Sequence, residues 1–216
     1  MNAFDILVKY RSEFLIGLRT TIELCFIVWT AGIVLGSLLG AASARWRIAV
    51  GVPTKAISFV LSGVPVLVFL FWMHYPLQYS LGVVIDPFYT AAITLSIVNM
   101  LLVSELIRGV MLDFPAEYVV GAKVCGLTTN QIAWNIQFPI MLRQVLPNLL
   151  VIQVTMLQST LFASLISVDE VFRISQRINS QIYRPVEIYT ALAVLFLVMC
   201  LPKHGLAFWL RSRFTR

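Results

Sequence analysis

The residues able to do chemistry in this 216-residue chain are few and sit in apolar surroundings. The densest group lies between about Leu146 and Val168, a run apolar enough to be the fourth membrane span. Asn148, Thr155 and Ser159 share one helical stripe there. Gln153, Thr160, Ser164 and Ser167 share another, roughly 90° or more away at 3.6 residues per turn. A helix polar on two faces cannot show either to lipid cheaply, so it is expected to be central. One stripe would face a path for a polar solute and the other a neighbouring helix; the pattern leaves open which. Ser and Thr can also satisfy their own helix backbone.

Bond-making chemistry is demoted on the same grounds. No G-x-x-x-x-G-K-[ST] run occurs, and no glycine is followed by lysine, so this chain has no P-loop of its own. His74 and His204 stand in different segments, and no metal site is expected. Cys25, Cys125 and Cys200 are widely separated and read as small core hydrophobes rather than a disulfide framework. No Ser or Cys has a recognisable base in a motif. No catalytic residue is assigned, and an intramembrane enzyme is not expected.

The elements that must position these groups follow from composition. With 59% hydrophobic and 12% charged residues and a mean hydropathy of +0.88, the chain is an integral membrane protein. Its length allows about five spans of ~20 residues in one transmembrane domain over 1–216, and no appended soluble enzyme domain. The net charge of +6 sits beside the spans, as orientation signal and headgroup contact rather than a nucleic-acid surface. Residues 1–15 are expected to lie at the membrane interface, with Phe4, Leu7, Val8 and Arg11 at helical spacing, and no removable signal peptide is expected.

The first span is expected over about Leu18–Ala44, with Glu23 facing the bundle, headgroups or water, and Gly32, Gly36 and Gly40 permitting close helix approach. The second runs from about Pro53 to Tyr75 and is interrupted at Ser62-Gly63-Val64-Pro65, which suggests either a lined cavity or a packing kink. The third covers about Phe88–Ile107 and closes with Glu105 and Arg108, three residues apart on one face. After the charged connector Asp169–Pro185 comes the last span, about Val186–Leu201 or slightly beyond.

One long stretch, Pro115–Pro147, is neither apolar enough to span nor polar enough for a simple loop. It reads as a helix over Ala116–Cys125, a break at Gly126, and a second helix capped by Thr128 or Thr129 that runs into Pro139. It is either a docking surface for a partner or a loop that happens to be helical. With the N-terminus outside, ten basic residues (Arg45, Arg47, Lys55, Arg108, Lys123, Arg143, Lys203, Arg211, Arg213, Arg216) fall inside. Six (Lys9, Arg11, Arg19, Arg173, Arg177, Arg184) fall outside, which favours N-out, C-in and places Pro115–Pro147 inside.

Six stretches, in order from about Phe14 to Arg213, carry a family resemblance. LSGVPVLVFLFW (61–72) is similar to F-R-G-T-P-L-L-V-Q-L-F, and SELIRG (104–109) to A-E-I-F-R-G. PAEYVVGAKVCGLT (115–128) resembles the cytoplasmic E-A-A…G signature, with Ala122 and Gly126 on matching positions. FPIMLRQVLP (138–147) resembles L-P-Q-A-L-R-x-x-L-P, and QSTLFASLI (158–166) resembles K-D-T-S-L-V-S-V-I. QRINSQIYRPVEIY (176–189) resembles Q-R-I-x-x-x-x-x-R-P-x-E-x-Y. The chain thus resembles a permease subunit of the polar amino-acid uptake family of ATP-binding-cassette importers, the histidine/glutamine/arginine/opine group.

That resemblance implies an all-α type I ABC importer permease fold with a cytoplasmic coupling helix, in a bacterial inner membrane. It implies half of a path for polar amino acids, a second permease, a cytoplasmic ATPase dimer that binds ATP and Mg, and an extracytoplasmic solute-binding protein. On it, Glu117, Tyr118, Ala122, Lys123, Gly126, Leu127 and Thr128 would couple to the ATPase. Ser62, Asn99, Thr155, Gln158, Ser159 and Ser164 would line the path. The departures are specific: Val120 and Gly121 stand at the signature's glutamate and first alanine, Ser62 at an arginine, and Gln158-Ser159 at a lysine–aspartate pair. A self-paired dimer would lose those charges twice, so a heterodimer is expected. The alternative is a substrate-silent structural or assembly subunit; a secondary transporter would show a repeat, and none is found.

Overall fold

The computed structural model describes residues 3–214, and their order is entirely helical. The side chain of Phe4 and the whole of Arg216, both used above, lie outside the described residues. A short α1 (Ala3–Lys9) leads through Tyr10 into α2 (Arg11–Arg45). Ile6 of α1 is fully buried with Phe14, Val171, Ile174, Ile178 and Ile188, so the N-terminal segment is clamped to the rest of the chain. Glu23 points outward and pairs with Arg19 at 2.8 Å.

The glycine stripe of α2 packs against α6 (Pro87–Leu112). Gly32 faces Asn99, Gly36 faces Met100 and Val103, and Gly40 faces Ser104 and Ile107. Both numbers rise together, so α2 and α6 run parallel, as first and third spans must. This is the most extensive helix pair in the fold. Asp86 starts α6 by accepting from the Phe88 amide at 2.8 Å.

Between them the second span is not one helix. A wide turn at Arg47–Gly51 leads into α3 (Val52–Ser62), and α4 (Val66–His74) and α5 (Pro76–Leu81) follow. The two halves, 47–62 and 66–81, are bent by 98°. Pro65 has no amide proton and pushes Val64 out of the helical region, so the run must break here. The expected Pro53–Tyr75 span is therefore a broken pair, and the count of spans is four, or five with this pair as one.

Two other expected boundaries move. The helix after Gly126 does not stop at Pro139: α8 (Thr129–Ile132) passes through a wide turn at Ala133–Gln137 into α9 (Phe138–Ser159). Pro139 sits in the first turn of α9, where a missing donor costs least. The helical stretch continues through Thr160–Ile166, so Thr129–Ile166 forms one long unit. The last span likewise runs past Leu201 as α11 (Pro185–Phe214). Lys203, expected at its end, lies 5.3 Å from the Trp29 ring centroid and donates to the Met199 carbonyl at 2.9 Å. The aromatic face and the carbonyl give the ammonium partners inside the bundle, so the helix need not end there.

The connector forms α10 (Val171–Ile182), which packs on Gly17 and Thr21 of α2. Its N-cap Glu170 is fully buried and accepts from the Phe172 and Arg173 amides at 2.9 and 2.8 Å. Asp169 beside it pairs with Arg173 and Arg177. Burial pushes the Glu170 carboxyl up from 4.5 to about 7, against those two hydrogen bonds and the charge of Arg173. The folded state then holds this proton more tightly than the unfolded one. The contribution of this group to stability is greatest below pH 4.5, declines as pH rises from 4.5 to about 7, and is lost above that. The contribution is about 3 kcal/mol. Melting in detergent from pH 5 to 8 should therefore show a downward slope that Glu170→Gln flattens; an unchanged slope in the variant would contradict the assignment.

Candidate transport groove and coupling surface

The break between α3 and α4 opens a groove of about 600 Å³. Its walls come from α3 (Lys55, Ser62), α4 (Val66, Phe69), α6 (Val98, Leu101, Glu105) and α9 (Thr155, Met156, Ser159). The walls are mainly apolar, and the polar atoms are specific. Ser62 donates to Phe59 O at 2.7 Å, Thr155 to Val151 O at 3.1 Å, and Ser159 to Thr155 O at 2.9 Å. Each hydroxyl spends its proton on its own helix, which leaves oxygen lone pairs as acceptors. Glu105 adds a carboxylate whose Oε1 has no partner among the described residues, while Oε2 lies 3.7 Å from Arg108. Lys55 brings a cation to the same groove. Such a lining suits a small solute with donor groups and opposite charges.

Three of the six path residues chosen from sequence thus meet here: Ser62, Thr155 and Ser159. Asn99 lies on the other face of α6. It is fully buried, donates to Val28 O at 2.9 Å and to Gln153 Oε1 at 3.0 Å, and accepts from Gln153 Nε2 at 3.3 Å. Trp29 donates to the Gln153 carbonyl at 3.0 Å. Gln153 of the second stripe therefore faces neighbouring helices, and Thr155 and Ser159 of the first face the groove, whereas Asn148 of the first lines a separate cavity toward α11. Gln158 is exposed and does not line the groove. Ser164 is buried, donates to Leu161 O at 2.7 Å, and its carbonyl accepts from Arg173. Glu105 and Lys55 were not chosen as groove residues from sequence; the signal was Glu105 itself, a carboxylate closing an apolar span.

The second feature is α7 (Ala116–Val124) and its turn into α8. Gly126 takes φ +80, with its amide bonded to Lys123 O and the Leu127 amide reaching back to Ala122 O at 3.1 Å. This left-handed closure satisfies the last carbonyls of α7. No atom would meet a Cβ added at Gly126 within 4 Å, so φ alone demands glycine. Thr128, of the two candidates, is the cap of α8, in a reciprocal box with Gln131. Glu117, Tyr118, Lys123 and Thr128 are exposed, Leu127 is half-buried, and Ala122 is buried. Val120 and Val124 are 59% and 84% exposed, so the face offered outward is apolar.

Residues 32–216 match the family described as the binding-protein-dependent transport system inner membrane component. The chain belongs to that family. As such a component it is a multi-pass inner membrane transport permease subunit. It is 26% identical to the histidine/lysine/arginine/ornithine transport system permease protein HisQ of Escherichia coli, over 92% of each chain. It is 26% identical to the octopine transport system permease protein OccM of Rhizobium radiobacter, covering 85% of this chain and 80% of that one. The glutamine transport system permease protein GlnP of Escherichia coli is 28% identical, over 86% and 85%. Among solved structures, this permease superposes on an amino acid ABC transporter crystallised with histidines at a TM-score of 0.84, with 25% identity and 96% of both chains covered. The MetNI methionine ABC transporter, at 16% identity, shares the fold with a TM-score of 0.76 over 96% and 99%.

Proposed function

We propose that this permease carries polar amino acids or close derivatives inward, forming half of the path, with the groove beside α3 and α4 as its wall. The observation that carries this is the coincidence of a near-full-length likeness to amino-acid and opine permeases with a groove holding Glu105, Lys55 and acceptor hydroxyls. A zwitterion offers the complementary charges. Ser62, Thr155 and Ser159 contact the solute; Asn99, Gln158 and Ser164 support the wall from behind or beside it.

The energy comes from a separate ATPase dimer that binds ATP and Mg and seats Glu117, Tyr118, Ala122, Lys123, Gly126, Leu127 and Thr128. An extracytoplasmic solute-binding protein delivers the cargo. The basic residues support an N-out, C-in orientation, with nine rather than ten on the inner side once Lys203, set against Trp29, is counted within the bundle. A second permease that keeps the charges missing at Ser62, Val120, Gln158 and Ser159 completes the path. The test is uptake by the complex reconstituted in vesicles with its ATPase and binding protein, against a panel of amino acids. ATP-dependent accumulation is expected and Thr155→Trp, which fills the groove, should abolish it. Undiminished uptake in that variant would leave the assembly-subunit reading standing.

A further inference from the structure

A second groove, of about 420 Å³, runs along the outside of the α2–α6 pair. Ile27, Ala31 and Leu35 of α2 form one wall, and a row from Tyr89 to Met100 of α6 forms the other. Among the described residues, none that lines it is charged. Both helices are apolar enough to cross a membrane, and Ile27, Leu35, Tyr89 and Ile93 are exposed, so the groove opens to the bilayer. From Tyr89 to Met100 the helical rise is about 16 Å, close to the ~15 Å hydrocarbon depth of one leaflet. Spread over that length, the volume is a channel about 5 Å across, too narrow for a helix of about 10 Å. It has room for a single hydrocarbon chain. Its surface end is charged. The contacts Gly32–Asn99, Gly36–Val103 and Gly40–Ile107 keep one offset between the two helices. The same offset sets Arg19 level with Asp86, and Glu23 level with Thr90, beside Tyr89. Arg19 and Glu23 pair at 2.8 Å through one carboxylate oxygen, and both remain exposed. Glu23, an acid near the start of an apolar span, thus stands where the groove meets the head groups.

We propose that this groove holds one acyl chain of a zwitterionic aminophospholipid, with its ammonium on Glu23 and Asp86 and its phosphate on Arg19. Lipid tails are as apolar as leucine, so the chain gains nothing simply by leaving lipid; packing along both walls and the head group hold it. The Arg19–Glu23 pair offers both signs of charge, which complements a head group that carries both. The Tyr89 hydroxyl, at head-group depth, supplies a further donor. An anionic lipid would set its charge beside two carboxylates with one guanidinium to answer it, so the zwitterion is the better occupant. The α6 residues that line this groove are not those that line the transport groove, and the site stands whether or not amino acids are the cargo.

The experiment is native mass spectrometry of the complete transporter, delipidated and offered phosphatidylethanolamine or phosphatidylglycerol. Phosphatidylethanolamine should be retained preferentially. Ala31→Trp, which fills the groove without changing charge, should lower its retention about tenfold or more while the complex stays assembled. Glu23→Gln combined with Asp86→Asn, which keeps a capping side chain at the start of α6, should remove the preference between the two lipids. Val34→Trp, at an exposed position of α2 that does not line the groove, should leave retention unchanged. Unaltered retention in Ala31→Trp would overturn the proposal, as would a parent protein without the preference or a preference that survives the double variant. So would equal loss in Val34→Trp, which means general annular lipid, or loss of the second permease from the Ala31→Trp complex, which means a protein interface.

Discussion

Gly32→Ala should be the most damaging single methyl that can be added to this protein. A Cβ there would lie 2.2 Å from Asn99 Nδ2, 2.4 Å from its Cγ and 2.7 Å from its Cβ. Asn99 cannot yield, because its amide bridges Val28 on α2 and Gln153 on α9. Either α2 lifts from α6 or the amide pair breaks. Overpacking costs about 1–3 kcal/mol, and each buried polar group left unpaired about 1–3 more, so a loss of about 5 kcal/mol is expected. The measurement is the melting midpoint and the yield of monodisperse protein in detergent. Gly121→Ala, where no atom lies within 4 Å, should be tolerated. Asn99→Ala should rescue Gly32→Ala only in part, since the Asn99 Cβ remains as an obstacle. A Gly32→Ala protein that melts like the parent would show that the α2–α6 contact is looser than these distances.

Gly126→Val should have the second large effect, on coupling rather than on folding. A β-branched residue at φ +80 carries a strain of about 1–2 kcal/mol or more. The turn is exposed and open, so the bundle does not enforce it. The Leu127-to-Ala122 bond and the Thr128 cap should be lost together, and α7 should no longer be held at a fixed angle to α8. α8 continues into α9, whose far face carries Thr155 and Ser159, so a push on α7 reaches the groove wall through this turn. ATP hydrolysis by the assembled complex should lose about tenfold of its stimulation by loaded binding protein, while the permease melts close to normally. Gly126→Asn, which tolerates left-handed φ, should retain much of it. Full stimulation in Gly126→Val would remove this turn from the coupling route.

Much of the local architecture was legible in the chain. The apolar runs gave the spans, Pro65 and Gly63 gave the break, and Gly126 and Thr128 gave the turn, because proline, glycine and capping hydroxyls act on their own backbone. Boundaries were less legible where a distant partner changes the cost of a residue. Lys203 reads as a terminus until Trp29 is set against it, and Pro139 reads as a stop until a wide turn delivers it to a first helical turn. Side-chain roles were least legible of all. Asn99 and Thr155 are both polar residues within apolar helices, yet one joins α2 and α9 and the other faces the groove.

Sequence alone thus determined that the chain is a helical bundle in a membrane with no nucleotide motif, since hydropathy and breakers are local properties. Only the tertiary structure decided which polar stripe of α9 is spent on holding helices together and which is left for a solute. That choice depends on what the facing helix offers: α6 and α2 present Asn99 and Trp29 to Gln153, and the 98° break leaves open space before Thr155 and Ser159.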